Sequence, residues 1–227
     1  MIGKHSISVV IVTHRRTDTI RQIVESWLAQ PVEEVILCDC TQGQIINGMI
    51  PDQVKIVSFR PDLGNRTRHA IALLTEGDFV CQADDDFIPT KGFIQDLYSQ
   101  QQELGGMVGI IGRRFIGSKY YGGTQFFASN KIPHPVPVDM VGVCYFSDRS
   151  ALAYDMRGMA NPINDLFWCC YAKPDIVKHV AATHSYRNLP VCVDGDCLFH
   201  DPHAREVRES FYQKVWESTY ERRTIHN

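Results

Sequence analysis

The sequence predicts an α/β protein with a mostly parallel central sheet flanked by helices. Three observations carry that expectation. β-Branched apolar runs alternate with helix-period stretches from Ile7 to Ile111, each run is followed directly by polar or acidic residues, and Gly or Pro punctuates the joins. Strands separated by helical crossovers pair in parallel with right-handed connections, so their carboxyl ends share one edge of the sheet.

The first strand is Ile7–Thr13, ISVVIVT, a run of the residues that suit a pleated, buried surface. Thr17 or Asp18 then caps a helix whose Ile20, Ile23, Val24, Trp27 and Leu28 share one face, and Pro31 stops it. Val35–Cys40 reads as a second strand and Val54–Phe59 as a third. Asn65–Thr75 reads as a helix carrying Ala70, Leu73 and Leu74, and Asp78–Ala83 as a fourth strand. Lys91–Leu104 is a further helix closed by Gly105 and Gly106, and Met107–Ile111 begins another strand.

The second half is less regular. Gly112–Pro137 mixes Gly, Pro, basic and aromatic residues without a sustained period, which predicts long loops or a short hairpin of the kind that usually serves function. Asp139–Phe146 returns as a strand, Asp165–Ala172 as a buried helix, and Val180–Thr183 and Pro190–Val193 as short strands. Ala204–Arg223 has a helical stripe of Val207, Phe211, Val215 and Trp216. Nothing along the chain reads as a linker, so residues 1–227 are expected to form a single domain.

Composition excludes several functions. With 23 Lys+Arg against 26 Asp+Glu the formal charge is −3, which disfavours a nucleic-acid partner. Apolar runs such as Ile7–Val12 and Val141–Phe146 fall short of the roughly 20 residues a membrane helix needs, and the start MIGKHS has no signal-peptide core. A cytoplasmic location with no transmembrane segment is the expectation. Of the eight cysteines, Cys38, Cys40, Cys81, Cys144, Cys169 and Cys170 lie in apolar stretches and read as buried reduced thiols; no spacing suits structural zinc.

The polar residues converge on the shared carboxyl edge, where open α/β sheets bind ligands. Thr13–Arg16 follow the first strand, Asp39 ends the second, Arg60–Arg68 follow the third, and Asp84, Asp85 and Asp86 follow the fourth. Three consecutive carboxylates raise one another's pKa unless a cation neutralises them. Oxygen-only ligands select Mg²⁺ or Mn²⁺, with substrate phosphates and water completing the coordination. An EF-hand is excluded because the position needing Gly is Pro89. Arg15, Arg16, Arg66 and Arg68 suit diphosphate oxygens, which guanidinium groups grip in pairs.

With these residues the chain resembles a GT-A nucleotide-sugar glycosyltransferase. The blocks GNRTR…ADDDFIPTKGF, VGIIGRRF, VDMVGVCYFSDRSAL and NDLFWCCYAK resemble, in order, those of the exostosin-like (family 64) transferase domain; the broad family 2 is the rival assignment. The resemblance implies Asp84-Asp85-Asp86 as the DxD motif, with Asp86 a direct metal ligand and Asp84 near the ribose or the metal. It places Thr13, Arg15, Arg16 and Asp39 at the nucleotide base, Asn65 and Arg68 near the nucleotide, and His200 or His203 as an added metal or diphosphate contact. It also implies a UDP-sugar donor and a glycan or glycoconjugate acceptor, with Arg205 and Arg208 closing over the diphosphate. Asp165 is the carboxylate of the catalytic region: a cation stabiliser if configuration is retained, as the exostosin-like resemblance favours, or a general base if it inverts, as in family 2. Tyr120, Tyr121, Phe126 and Phe127 are candidates for stacking on an acceptor sugar. A pyrophosphorylase would need glycines after the first strand, where THRRTDT has none, and the intact acidic triplet argues against a non-catalytic sugar-nucleotide-binding homologue.

Overall fold

The computed structural model describes residues 2–14, 16–45, 48–60, 66–152, 163–172, 174–189 and 201–220. The first half runs β1 (Ile7–Thr13), α1 (Thr17–Leu28), β2 (Glu34–Asp39), β3 (Lys55–Ser58), α2 (Arg66–Ala72), β4 (Phe79–Ala83), β5 (Phe87–Pro89) and α3 (Phe93–Leu104). There follow β6 (Met107–Phe115), β7 (Thr124–Ala128), β8 (Val136–Val138), β9 (Met140–Asp148), α4 (Asn164–Leu166), β10 (Lys178–Val180), β11 (Tyr186–Asn188) and α5 (Pro202–Val215).

Among the described residues, nine strands form one sheet in the order β3-β2-β1-β4-β9-β6-β10-β8, with β7 paired to β6. The pairs β2–β3, β1–β2 and β1–β4 are parallel, as the helical crossovers require. Strand β9 enters between β4 and β6 and runs antiparallel to both. The segment expected as loops or a hairpin is the hairpin β6–β7, in register from Ile111↔Ala128 to Phe115↔Thr124.

All seven residues of β1 are buried, the mark of a strand covered on both faces. Ile7, Val9 and Ile11 join a core with Ile20, Ile23 and Trp27 of α1 and Phe93 and Leu97 of α3. Val10 and Val12 face the opposite core, with Ile71 of α2, Tyr145 of β9, Trp168 and Tyr212 of α5. Cys38, Cys40, Cys81, Cys144, Cys169 and Cys170 are buried free thiols, as their apolar settings imply; Cys192 and Cys197 lie outside the described residues.

Several boundaries differ from the sequence expectation. Arg16, not Thr17 or Asp18, stands at the N-cap of α1 without a side-chain cap bond, while Asp18 occupies the first turn, where its charge suits the helix dipole. The expected helix 165–172 is one α turn continued as a π-helix, Phe167–Ala172. Strand β10 sits two residues before the predicted one because it pairs with β6 and β8. Asp201 caps α5 by accepting from the His203 N–H at 2.9 Å, with Pro202 opening the helix. Pro190–Val193 lies outside the described residues.

Candidate active site

Thr13 and Asp39 end neighbouring strands as register partners, and Asp84 follows β4 beside them. The acidic run is aimed by a feature of β9. Between Gly109↔Tyr145 and Ile111↔Gly142 the ladder gains an extra residue, and Val143 takes a left-handed φ of 65°. A β-branched residue there is strained, so surrounding structure must over-determine it. Its carbonyl accepts the Asp84 N–H at 2.8 Å, fixing the start of the acidic turn. At the far end Asp86 offers its carbonyl to the Leu189 N–H at 2.8 Å, next to the small β5–β11 sheet.

Each carboxylate has a different environment. Asp84 accepts from Nη1 of Arg68. Asp85 accepts from Thr13 Oγ1 at 2.7 Å and lies 3.7 Å from Arg16 Nε. Asp86 Oδ1 is buried without a hydrogen-bond partner among the described residues. Burial raises all three carboxyls: Asp84 to about 7, with Arg68 pulling down and Asp86 pushing up; Asp85 to about 6, with Thr13 pulling down; Asp86 to about 6, with Asp85 adding to it. Asp39, expected at the nucleotide base, is buried and spends both oxygens locally. It accepts from the Thr41 N–H at 2.9 Å and Thr41 Oγ1 at 2.5 Å, and from Ser58 Oγ at 3.1 Å.

Arg68, expected beside the nucleotide, has no exposed surface; it is the cation beneath the site. Its Nη2 donates to Tyr145 Oη at 3.2 Å and to Asp165 Oδ1 at 3.4 Å, and Tyr145 donates to that same Asp165 oxygen. Burial pulls the guanidinium pKa down, but Asp84, Tyr145 and Asp165 outweigh it and the net shift is upward, so Arg68 stays charged. Burial, then Asp165, pushes the Tyr145 phenol well up, so it remains a donor. His69, buried against Trp168 and Tyr145 and next to Arg68, is pushed well down and is neutral. Asp165 is thus joined to the acidic run through one guanidinium. Tyr145 escaped the sequence reading because a single phenol in VGVCYF looks like core.

Of the other expected residues, Arg15, Asn65 and His200 lie outside the described residues. His203 is in the first turn of α5. Arg205 stacks over the Tyr121 ring at 4.7 Å, and Arg208 lies near Tyr120, Tyr121 and Asp165. Tyr120 is buried against Tyr212, Phe126 is half exposed, and Phe127 carries Arg114 at 5.3 Å. Among the described residues no three His, Cys, Asp or Glu side chains form a metal centre by themselves. The unpartnered Asp86 Oδ1 and the raised carboxyls nonetheless fit a divalent ion whose other ligands come from substrate and water.

A parallel sheet whose carboxyl edge carries an acidic turn, crossed by an antiparallel strand that positions a further carboxylate, defines a GT-A-type transferase. The chain belongs to glycosyl transferase family 2, whose profile matches residues 8–142. No curated protein matches by sequence. Among solved structures, residues 1–349 of S. aureus TarS share the fold with a TM-score of 0.57 at 13% identity, covering 95% of this chain and 72% of that one. The same fragment in complex with UDP-GlcNAc gives 0.53 at 15% identity, covering 80% and 57%. None of these matches is particular to the exostosin-like domain, so the assignment that stands is family 2. No described helix is long and apolar enough to cross a membrane.

Proposed function

We propose that this protein transfers a sugar from a nucleoside diphosphate, a UDP-sugar by preference, to a hydroxyl of a glycan acceptor, with inversion and with Mn²⁺ or Mg²⁺ as cofactor. The observation that carries the reading is the Asp84–Arg68–Asp165 array, which sets a carboxylate one guanidinium away from the acidic turn. Retention rested on the exostosin-like blocks alone; family 2 membership supports inversion instead.

Asp86, with Asp84 beside it, would hold the divalent ion, which when bound supplies Lewis-acid stabilisation to the departing diphosphate. Thr13 and Arg16 hold Asp85 and so keep the acidic turn from splaying. Arg68 and Tyr145 both donate to Oδ1 of Asp165 and orient its carboxylate, which would take the proton of the acceptor hydroxyl as general base. Oδ2 sits over Gly142, where an added Cβ would make ordinary van der Waals contact with it at 3.6 Å.

The reading is tested by measuring diphosphate release from UDP-, GDP- and dTDP-sugars with and without Mn²⁺, and by reading the product's anomeric configuration by NMR. Metal-dependent release of UDP is expected, with an inverted product. Asp86→Ala should abolish transfer and metal-dependent UDP binding; unchanged Mn²⁺-dependent UDP affinity in that variant rejects the metal site.

A further inference from the structure

Beyond the catalytic carboxylates, the carboxyl edge of the antiparallel half bears a second constellation. In β6 and β9, Ile111↔Gly142 and Arg113↔Met140 are register pairs, and paired side chains in an antiparallel ladder share a face. Asp165 Oδ2 sits over Gly142. Arg113 therefore stands two residues further along the same face, about 7 Å on, towards the edge that carries the acidic turn.

There its guanidinium is layered between the rings of Tyr120, at 4.9 Å, and Phe126, at 5.4 Å, and donates to Thr124 Oγ1 at 2.9 Å. The Tyr120 and Tyr121 rings meet edge to face at 4.9 Å, and exposed Arg205 lies over Tyr121. Among the described residues neither Arg113 nor Arg205 has an ion-pair partner within 4 Å. The nearby acid, Glu209, is spent on the backbone N–H groups of Tyr120 and Tyr121, at 2.9 and 3.1 Å. Two guanidinium groups with no carboxylate in ion-pair reach among the described residues, held on aromatic faces beside a candidate base, are arranged to take an anion together with the apolar face of a sugar ring.

We propose that the acceptor is an anionic glycan whose phosphate, sulfate or carboxylate group is taken by Arg113 and Arg205 beside the rings of Phe126 and Tyr121. This rests on the transferase reading only in making the bound glycan the acceptor.

The experiment overlays the fluorescently labelled protein on a glycan array with neutral, uronate-, sulfate- and phosphate-bearing members, alongside calorimetry of UDP with Mn²⁺. Anionic glycans are expected to hold the protein at least about tenfold better than neutral counterparts. Arg113→Gln/Arg205→Gln should remove that margin, Arg113→Lys/Arg205→Lys should keep much of it, and Arg205→Gln alone, on an exposed helix position, should lower it if the double variant misfolds. Equal capture of neutral glycans, no capture of any glycan, or an anionic preference that survives both Gln variants overturns the proposal. So does a tenfold loss of UDP affinity in the Gln variants, which would assign the arginines to the donor diphosphate. Anionic capture by a wild-type protein that binds no nucleotide would instead defeat the transferase reading and leave this surface standing.

Discussion

From β3 to β4 the sheet is parallel, and its carboxyl edge carries three consecutive half-buried carboxylates among Arg68, Thr13 and Arg16. From β9 to β7 it is antiparallel, and the corresponding edge carries arginines laid on aromatic rings. The two regions face opposite electrostatic tasks. The first concentrates negative charge that burial makes costly, which suits a site that gains by taking up cations. The second spreads positive charge over polarisable rings at little desolvation cost. Arg68 is the tie between them, and it is where the contrast is most easily broken.

Removing that guanidinium should have the largest effect. Arg68→Met leaves Asp84 and Asp165 without their shared cation, and breaking a buried pair in this way costs about 3–5 kcal/mol. A clearly lower melting temperature is expected, partly recovered in Arg68→Met/Asp84→Asn, where one orphaned charge is also gone. A single variant that melts with wild type would mean that the two halves are not coupled through this residue.

Asp165→Asn probes the antiparallel side of the tie. The isosteric amide keeps the size of the side chain, so donor and metal affinity should stay within a few-fold while turnover falls ~10²-fold or more, the scale of a positioned base. The amide keeps an acceptor oxygen for Arg68 and Tyr145 but loses the charge that faces Arg68, so a lower melting temperature is expected, by less than in Arg68→Met because Asp84 still pairs with the guanidinium. Near wild-type turnover would reduce Asp165 to a structural role.

Asp86 sharpens the comparison from the donor side through pH. Its carboxyl sits at about 6 in the folded protein, raised by burial and by Asp85, against about 4 in an unfolded chain. Between those values the folded state binds the proton more tightly, so its stability falls as pH rises through about 4 to 6, and the whole penalty is present above that window. Asp86→Asn removes it. In EDTA this variant should melt roughly 5–10 °C above wild type at pH 7.5 and level with it at pH 4. Mn²⁺ should stabilise only the wild type, and a variant less stable than wild type at pH 7.5 would contradict the burial account.

The parallel half was legible in the sequence because its signals are local. A β-branched run, a helical stripe and a polar tail recur, and the edge they share follows from the handedness of crossovers. The placing of Thr13, Asp84, Asp85 and Asp86 together at that edge follows by that route alone. Arg68 was found as a residue but not in its setting: a guanidinium in NRTR reads as a surface group, and only the packing of α2 under β4 and β9 buries it. Tyr145 and the Val143 bulge were not legible, since register and bulge position are set across strands far apart in sequence. In α5 Val215 is buried and Phe211 and Trp216 pack against the same core, as the apolar stripe implies, but Tyr212 beside that stripe is buried too, its hydroxyl donating to the Gly117 carbonyl at 2.7 Å.

The smallest expected effect tests whether the antiparallel side is held by its own fastenings. Glu209 of α5 accepts from two consecutive N–H groups, those of Tyr120 and Tyr121, in the turn between β6 and β7. Charge-assisted bonds of this kind are stronger than neutral ones, but a half-exposed pair on a turn contributes only about 1–2 kcal/mol. Glu209→Ala should therefore lower the melting temperature by a few degrees, while Glu209→Gln, which still offers one acceptor oxygen, should lower it less. Amide exchange should quicken at residues 116–123 and remain slow in β1 and β4, because the parallel core does not lean on this turn. Mn²⁺-dependent UDP affinity, set at the acidic turn, should be unchanged. Faster exchange spread evenly over both halves would show that the turn fastens the whole sheet, and the division between a donor side and an independently held platform would then have to be given up.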